Sequence, residues 1–303
     1  MYQKTCDPAP ELFERVKLLD HGYMEFVEHW GSDERIVEAA RMSTGKGFLG
    51  WGECECEMCN GRGKVAQNIQ VWDSPPSVER TIVFEQLGVF GGLSHGEMRD
   101  VACFLCNGKG RLRGDQWLLR YLWSNKHATP FEMAGMTLVT QAPIMVFREW
   151  HRHRTQSYNE MSARYTPLPP FDYLPTAERC MMVVTKNRQS GQAIGADELT
   201  HEKALKWLEI MAGYYELGES VYQYGLGIGI PKELARLAVT VGRYSRMMAS
   251  TDLRNWLAFL TLRMEQGAQW EIRQYANQVG VYIKSLFPKT WSLFVEGREI
   301  ASK

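Results

Sequence analysis

The chain has no surplus of charge. Lysine plus arginine and aspartate plus glutamate each count 35 in 303 residues, so the formal net charge is zero. A polyanion is ordinarily met by a broad basic field, so no nucleic-acid polymer is expected as a partner. Apolar runs near the roughly 20 residues that cross a bilayer are missing as well. APIMVF, at 142 to 147, is typical of those present, and no membrane partner is expected. The opening MYQKTCDPAP lacks the basic-then-apolar order of a secretory signal, and a cytoplasmic protein is expected. Cysteine is scarce, at seven residues, and in the cytoplasm thiols or metal ligands are expected in place of disulfides. What is left is an ordinary globular composition, 45% apolar and 23% charged, in a chain long enough to bury a sizeable core.

The few cysteines are concentrated. Five of the seven fall between residues 45 and 112, four of them within two near-repeats. Cys56-Glu-Met-Cys59-Asn-Gly-Arg-Gly63 matches Cys103-Phe-Leu-Cys106-Asn-Gly-Lys-Gly110. Zinc takes four tetrahedral ligands and thiolates suit it. The glycines permit a turn tight enough for two sulfurs to face one ion. Cys56, Cys59, Cys103 and Cys106 are therefore expected to close one structural Zn2+ site in an inserted subdomain spanning 45–112. The alternative is four free thiols or a redox pair. A closed site has no open position, so no catalytic metal is expected. Cys54 is a spare, and Cys6 and Cys180 stand alone as structural thiols.

The rest of the chain alternates between strand and helix signals. A strand followed by a helix is expected over 14 to 44, with Ser32-Asp33 at the helix cap. A helix is expected over 115–126 and a strand over 136–140. A further helix runs from Pro143 to about Arg152, with a loop beyond. The C-terminal third reads as helices over 200–224, from Pro231, over 252–263 and over 268–283. Gly225-Leu-Gly-Ile-Gly229 follows a helix and precedes Pro231, so it reads as a chain turn and not as a phosphate loop.

One stretch carries too many polar groups for an ordinary surface. RHRTQSYNEMSARY, 152 to 165, joins Arg152, Arg154 and Arg164 to interleaved hydroxyls and an amide. Arginine forks match phosphate and carboxylate geometry. From Arg148 to Arg164 four arginines face Glu149 and Glu160, a local surplus of +2. A solvated charge run does not need Ser157, Tyr158, Asn159 and Ser162 between its charges, so a site for a small anion is the better reading.

These residues resemble the flavin-dependent thymidylate synthases. Arg152-His153-Arg154, seven residues, then Ser162 is similar to that family's signature. AlaAlaArgMetSer at 39–43, HisAlaThrProPheGlu at 127–132 and LeuArgMetGluGlnGlyAlaGlnTrpGluIleArg at 262–273 follow in the family's order. The resemblance implies an α+β fold, with a mixed sheet flanked by helices and a helical C-terminal third. It implies a catalytic domain made of 1–44 and 113–303. It implies reductive methylation of dUMP to dTMP, with FAD, NADPH and methylenetetrahydrofolate and without a cysteine nucleophile. It also implies a homotetramer whose subunits share active sites. Residue by residue, Ser43, Thr129, Glu132, Arg152, His153, Arg154 and Arg254 would hold FAD. Glu160, Ser162, Arg164 and Arg236 would line the dUMP site, Arg236 reaching in from a neighbouring subunit. Arg263 would sit at the uracil edge and favour negative charge there. Asp252, Ala258, Gly267 and Glu149 depart from the family pattern. The cysteine knuckles resemble those of DnaJ-type chaperones. Two other readings stand beside this one: flavin-dependent modification of a different pyrimidine nucleotide, and a non-catalytic zinc-knuckle interaction protein.

Overall fold

The computed structural model describes residues 14–56, 58–72, 94–103, 106, 108–182 and 198–301. Cys6 and the side chain of Cys54 lie outside the described residues. The chain divides into two compact units, residues 46–121 and the remainder on either side of them in sequence.

The larger unit is built on a five-stranded sheet. β1 (Val16–Leu18) and β2 (Gly22–Trp30) come from the N-terminal segment. β7 (Gly135–Pro143), β8 (Ser157–Glu160) and β9 (Tyr244–Asp252) complete it. The order is β1-β2-β7-β9-β8, and each pairing is antiparallel. The α+β class and the helical C-terminal third are as expected, while the sheet, expected to be mixed, is antiparallel at each described pairing because its strands follow one another through reversing turns and helices. β7 lies in the middle and is buried at eight of nine positions, which is why GMTLVTQAP shows little alternation. β9 alternates from Arg246 onward: Met247, Ala249 and Thr251 are buried while Arg246 and Met248 are exposed. Gly135 is required by close approach, since a Cβ there would lie 2.5 Å from the Thr251 carbonyl oxygen.

Helices of this unit are α1 (Asp33–Arg41), α3 (Ile144–Trp150), α4 (Ala177–Met181), α5 (His201–Gly227), α6 (Lys232–Ala235), α7 (Leu253–Arg263), α8 (Trp270–Leu286) and α9 (Pro288–Ala301); α2 (Asp115–Ser124) precedes them in sequence after α1. Ser32 caps α1 by accepting from the Arg35 amide at 3.3 Å. The neighbouring Asp33 does something else. Buried, it accepts from the amides of Lys289 and Thr290 at 2.7 and 3.1 Å and from the Thr290 hydroxyl at 2.6 Å. It thus caps α9 from a distant part of the chain, where the positive end of the helix favours an anion. α3 ends at Trp150, short of the expected Arg152, because the chain turns back there to form β8. β8, β9 and α9 are elements that the sequence reading did not anticipate.

The core is aromatic. Trp150 lies 4.7 Å from Phe259 between ring centroids and packs edge-on to Trp256 and Tyr275. The polar tips of these rings have partners: Trp150 Nε1 donates to Gln156, Trp256 Nε1 to the Met136 carbonyl and Tyr275 Oη to the Gln141 carbonyl. Such ring pairs contribute about 0.5–1.5 kcal/mol each beyond area burial.

The smaller unit contains β3 (Cys54–Glu55), β4 (Lys64–Trp72), β5 (Ser94–Ala102) and β6 (Arg111–Leu112). β4 pairs with β5 and β3 with β6, both antiparallel. The unit extends past residue 112 because Asp115 is tied back into it. Its amide donates to the Gly50 carbonyl at 2.8 Å and its carboxylate accepts from the Leu49 amide at 2.5 Å.

Candidate functional site

α3 and the turn after it present the arginine cluster. The His153 amide donates to the Trp150 carbonyl, and the Tyr158 hydroxyl donates to the carbonyls of His153 and Trp150 at 2.7 and 3.2 Å. These bonds fold the run back on itself. His153 then points inward while Arg152 and Arg154 face solvent. Neither of those guanidinium groups has a partner among the described residues, so both forks are open to a diphosphate.

Arg263, the last residue of α7, reaches the inward side of this turn. Its Nε donates to His153 Nε2 at 2.9 Å, one Nη to Glu149 Oε2 at 2.6 Å and the other Nη to the Glu149 carbonyl at 2.8 Å. The side chain is only 14% exposed. Because His153 Nε2 accepts, its proton resides on Nδ1 and the ring is neutral. Burial, then the Arg263 charge, pushes the His153 pKa down to about 4, with Glu149 pulling the other way. Three separate acceptors therefore fix the guanidinium plane.

The other site residues expected from the sequence fall into groups. Glu132 accepts from Arg254 Nη1 at 2.7 Å, and Thr129 opens the same 3-10 turn, Thr129–Met133. Ser43, in the 3-10 turn Met42–Thr44 after α1, is exposed and donates to the Ala40 carbonyl. α1 packs on the Thr129–Met133 turn, which gathers this group at the start of α7. Arg254 opens α7 and Arg263 closes it, about 14 Å apart at 1.5 Å per residue. The residues expected to hold FAD thus stand at both ends of one helix. Arg164 pairs with Glu233 at 3.3 Å, both more than half exposed, and its amide donates to Ser162 Oγ. Arg236, in the following 3-10 turn, is exposed and has no side-chain partner among the described residues.

Glu160 lines a shallow cavity of about 400 Å³ beside β8 and β9, together with Asn159 and Arg246. Arg246 was not among the residues expected from the sequence. It is exposed, unpaired among the described residues, and one strand away from Glu160. The visible signal is a lone arginine at an outward position of an otherwise uncharged YSRMMAS strand.

The four cysteines meet in the smaller unit. Cys56 and Cys103 sulfurs are 3.7 Å apart and those of Cys59 and Cys106 3.8 Å, and all four lie within 4.8 Å of one another. A disulfide would hold sulfurs at about 2.05 Å. Zinc–sulfur bonds of about 2.3 Å in a tetrahedron place sulfurs about 3.8 Å apart. The donor set and the spacing fit zinc. The amides of Gly63 and Gly110 each donate to a sulfur, Cys59 and Cys106 respectively, at 3.2 Å. Both glycines have left-handed backbones, φ +75° and +73°.

Comparison with known proteins adds a second line. The profile of the family described as "Thymidylate synthase complementing protein" matches residues 25–289. A flavin-dependent thymidylate synthase of Gluconobacter oxydans is 30% identical over 288 residues, 95% of this chain and 74% of the relative. One from Anaplasma marginale is 29% identical over 286 residues, 94% of this chain and 76% of the relative. Among solved structures, a UMP/dUMP methylase from Streptomyces cacaoi bound with 5-Br dUMP is 25% identical, with a TM-score of 0.61, covering 93% of this chain and 97% of that one.

Proposed function

The chain belongs to the thymidylate synthase complementing protein family, and on that premise we propose that it converts dUMP to dTMP by flavin-dependent reductive methylation. Methylenetetrahydrofolate is the carbon donor in this reading and NADPH the reductant. FAD supplies hydride chemistry when bound. Arg152 and Arg154 would take its diphosphate, with Thr129, Glu132, Arg254 and Ser43 as further contacts and His153 bracing the turn. Glu160, Ser162, Arg164 and Arg246 would line the nucleotide site, with Arg236 supplied by a neighbouring copy.

The observation that carries the mechanism is the braced Arg263. C5 of uracil is a weak nucleophile until the ring becomes electron-rich. A guanidinium whose plane is already fixed by Glu149 and His153 can donate to negative charge developing at O4 and N3 without reorganising. Neutral His153 suits that task, because a second positive charge beside Arg263 would compete for the same acceptors.

Shared active sites fit two observations. The proposed FAD contacts are split between the ends of α7. In addition, Trp207, Ile210, Tyr214, Leu217, Val221 and Tyr224 form a stripe at alternating three- and four-residue spacing along α5, each 47–69% exposed. A seam of that spacing is what a partner helix covers, and a homotetramer is the assembly we propose. No described helix is long and apolar enough to cross a membrane. A cytoplasmic location is the one we propose. A structural zinc ion on Cys56, Cys59, Cys103 and Cys106 completes the reading.

A second substrate is a specific rival, since the Streptomyces cacaoi relative is described as acting on UMP as well as dUMP. The test is an anaerobic visible spectrum with FAD and dUMP before and after NADPH, followed by product analysis with dUMP, UMP and dCMP. Flavin bands that bleach, and dTMP as the main product, are expected. A preferred ribonucleotide product selects the rival, and no protein-bound flavin at saturating FAD refutes both.

A further inference from the structure

We infer that zinc binding and folding of the two knuckles with their flanking strands, β3 to β6, are a single event, with the four-sulfur centre holding those strands together. The inference deepens the zinc reading above and rests on it, and it is independent of the flavin chemistry.

The burial pattern is the first ground. Outside α2, the fully buried side chains among those described in this unit are Cys56, Cys59, Cys103 and Cys106, at 0, 0, 0 and 5% exposure. Val65 and Leu112 are the hydrophobic residues packed on them, and both are only partly buried. Among the described residues the sulfurs are thus the centre around which the knuckles pack.

The second ground is how the strands are joined. Each half of the unit runs strand, knuckle, strand, and the two halves are related by an approximate two-fold. The Cys56 amide donates to the Gly110 carbonyl at 2.9 Å, and the Cys103 amide to the Gly63 carbonyl at 2.8 Å. The Gly61 amide donates to the Cys56 carbonyl, and Gly108 to Cys103 in the same way. Both cross-links start at a metal ligand and end at a glycine whose own amide donates to a sulfur. The base of the β4–β5 hairpin and the β3–β6 pair are thus fastened through the ligands themselves. Without a cation the four sulfurs are neutral thiols joined only by weak S–H contacts, Cys56 to Cys103 and Cys59 to Cys106, whereas an ion would bind all four at once. Without the ion the knuckles lose the one group that would bind both of them.

The test uses the full-length protein. Metal content is measured after purification from zinc-replete medium. Amide hydrogen exchange is then followed with zinc bound, after chelation, and after zinc is restored. One zinc per chain is expected. Chelation should speed exchange across β4 and β5 by about a thousandfold or more, reversibly, while β7 and β9 keep their protection as an internal control. Cys56→Ser and Cys103→Ser, one from each knuckle, should reproduce the chelated state, and Cys180→Ser should change nothing. Absence of metal from replete protein would remove the zinc reading and the inference together. Bound zinc whose removal leaves β4 and β5 protected would leave the zinc site standing and overturn the coupling.

Discussion

Glu149→Gln should move stability and nucleotide affinity in opposite directions. Glutamine keeps the shape and an oxygen that accepts from Arg263, and the backbone carbonyl still accepts the other Nη. Only the charge is lost. Glu149 is 42% exposed and Arg263 14%, so solvent screens part of the attraction and the expected loss is about 1 kcal/mol. In a unit of this size that lowers Tm by about 2–4 °C. The freed positive charge then acts on the nucleotide. The same 1 kcal/mol, now directed at an anionic ligand, tightens dUMP binding about five-fold. A third sign comes from His153: Glu149 is the group that raises its pKa, so the variant should titrate below about 4. Thermal unfolding at low salt, calorimetric titration with dUMP and the His153 ring signals by NMR read the three effects. If affinity falls along with stability, Glu149 is a ligand contact and not a neutralising partner, and the reasoning is wrong.

Three further outcomes follow from the same geometry. Arg263→Lys keeps the charge and loses the fork, so kcat should fall about a hundred- to thousandfold while folding survives; a tenfold effect or less in steady-state kinetics would deny Arg263 the proposed role. His153 is held neutral, its folded pKa of about 4 lying below the ordinary histidine value of 6.5. Its contribution is complete above pH 6.5 and is lost as the pH falls toward 4, because the unfolded chain takes up the proton first. A denaturation series over that window should show a slope that His153→Gln reduces, and an unchanged slope would refute the assignment. Asp33→Ala leaves the Lys289 and Thr290 donors without their acceptor in a buried place, which should cost about 3 kcal/mol by urea denaturation; a loss under 1 kcal/mol would show that α9 finds another cap.

Much of the architecture was legible because its signals are local. Ser32 as a cap, Pro143 and Pro231 before helices, and the strand over 136–140 each depend on a few neighbouring residues. β9 was missed because YSRMMASTD is read correctly only when one face is known to be covered. Asp33 looked like the cap of its own helix, and its actual partner lies 257 residues away at Thr290. Arg246 was invisible as a site residue until β8 paired beside it and placed Glu160 one strand over.

By itself the sequence determined the residue types and their spacing: two cysteine knuckles able to close on one ion, an arginine-rich run suited to an anion, and four ordered matches to one family. Those features depend on covalent order, and covalent order is what a sequence records. Only the tertiary structure decided the partners. It turned His153 inward and left Arg152 and Arg154 outside, brought Arg263 onto Glu149 across 114 residues, and gathered the four sulfurs within 4.8 Å of one another. Side-chain direction and long-range pairing follow from strand register, helix ends and what each face buries, and these exist only once the chain has folded.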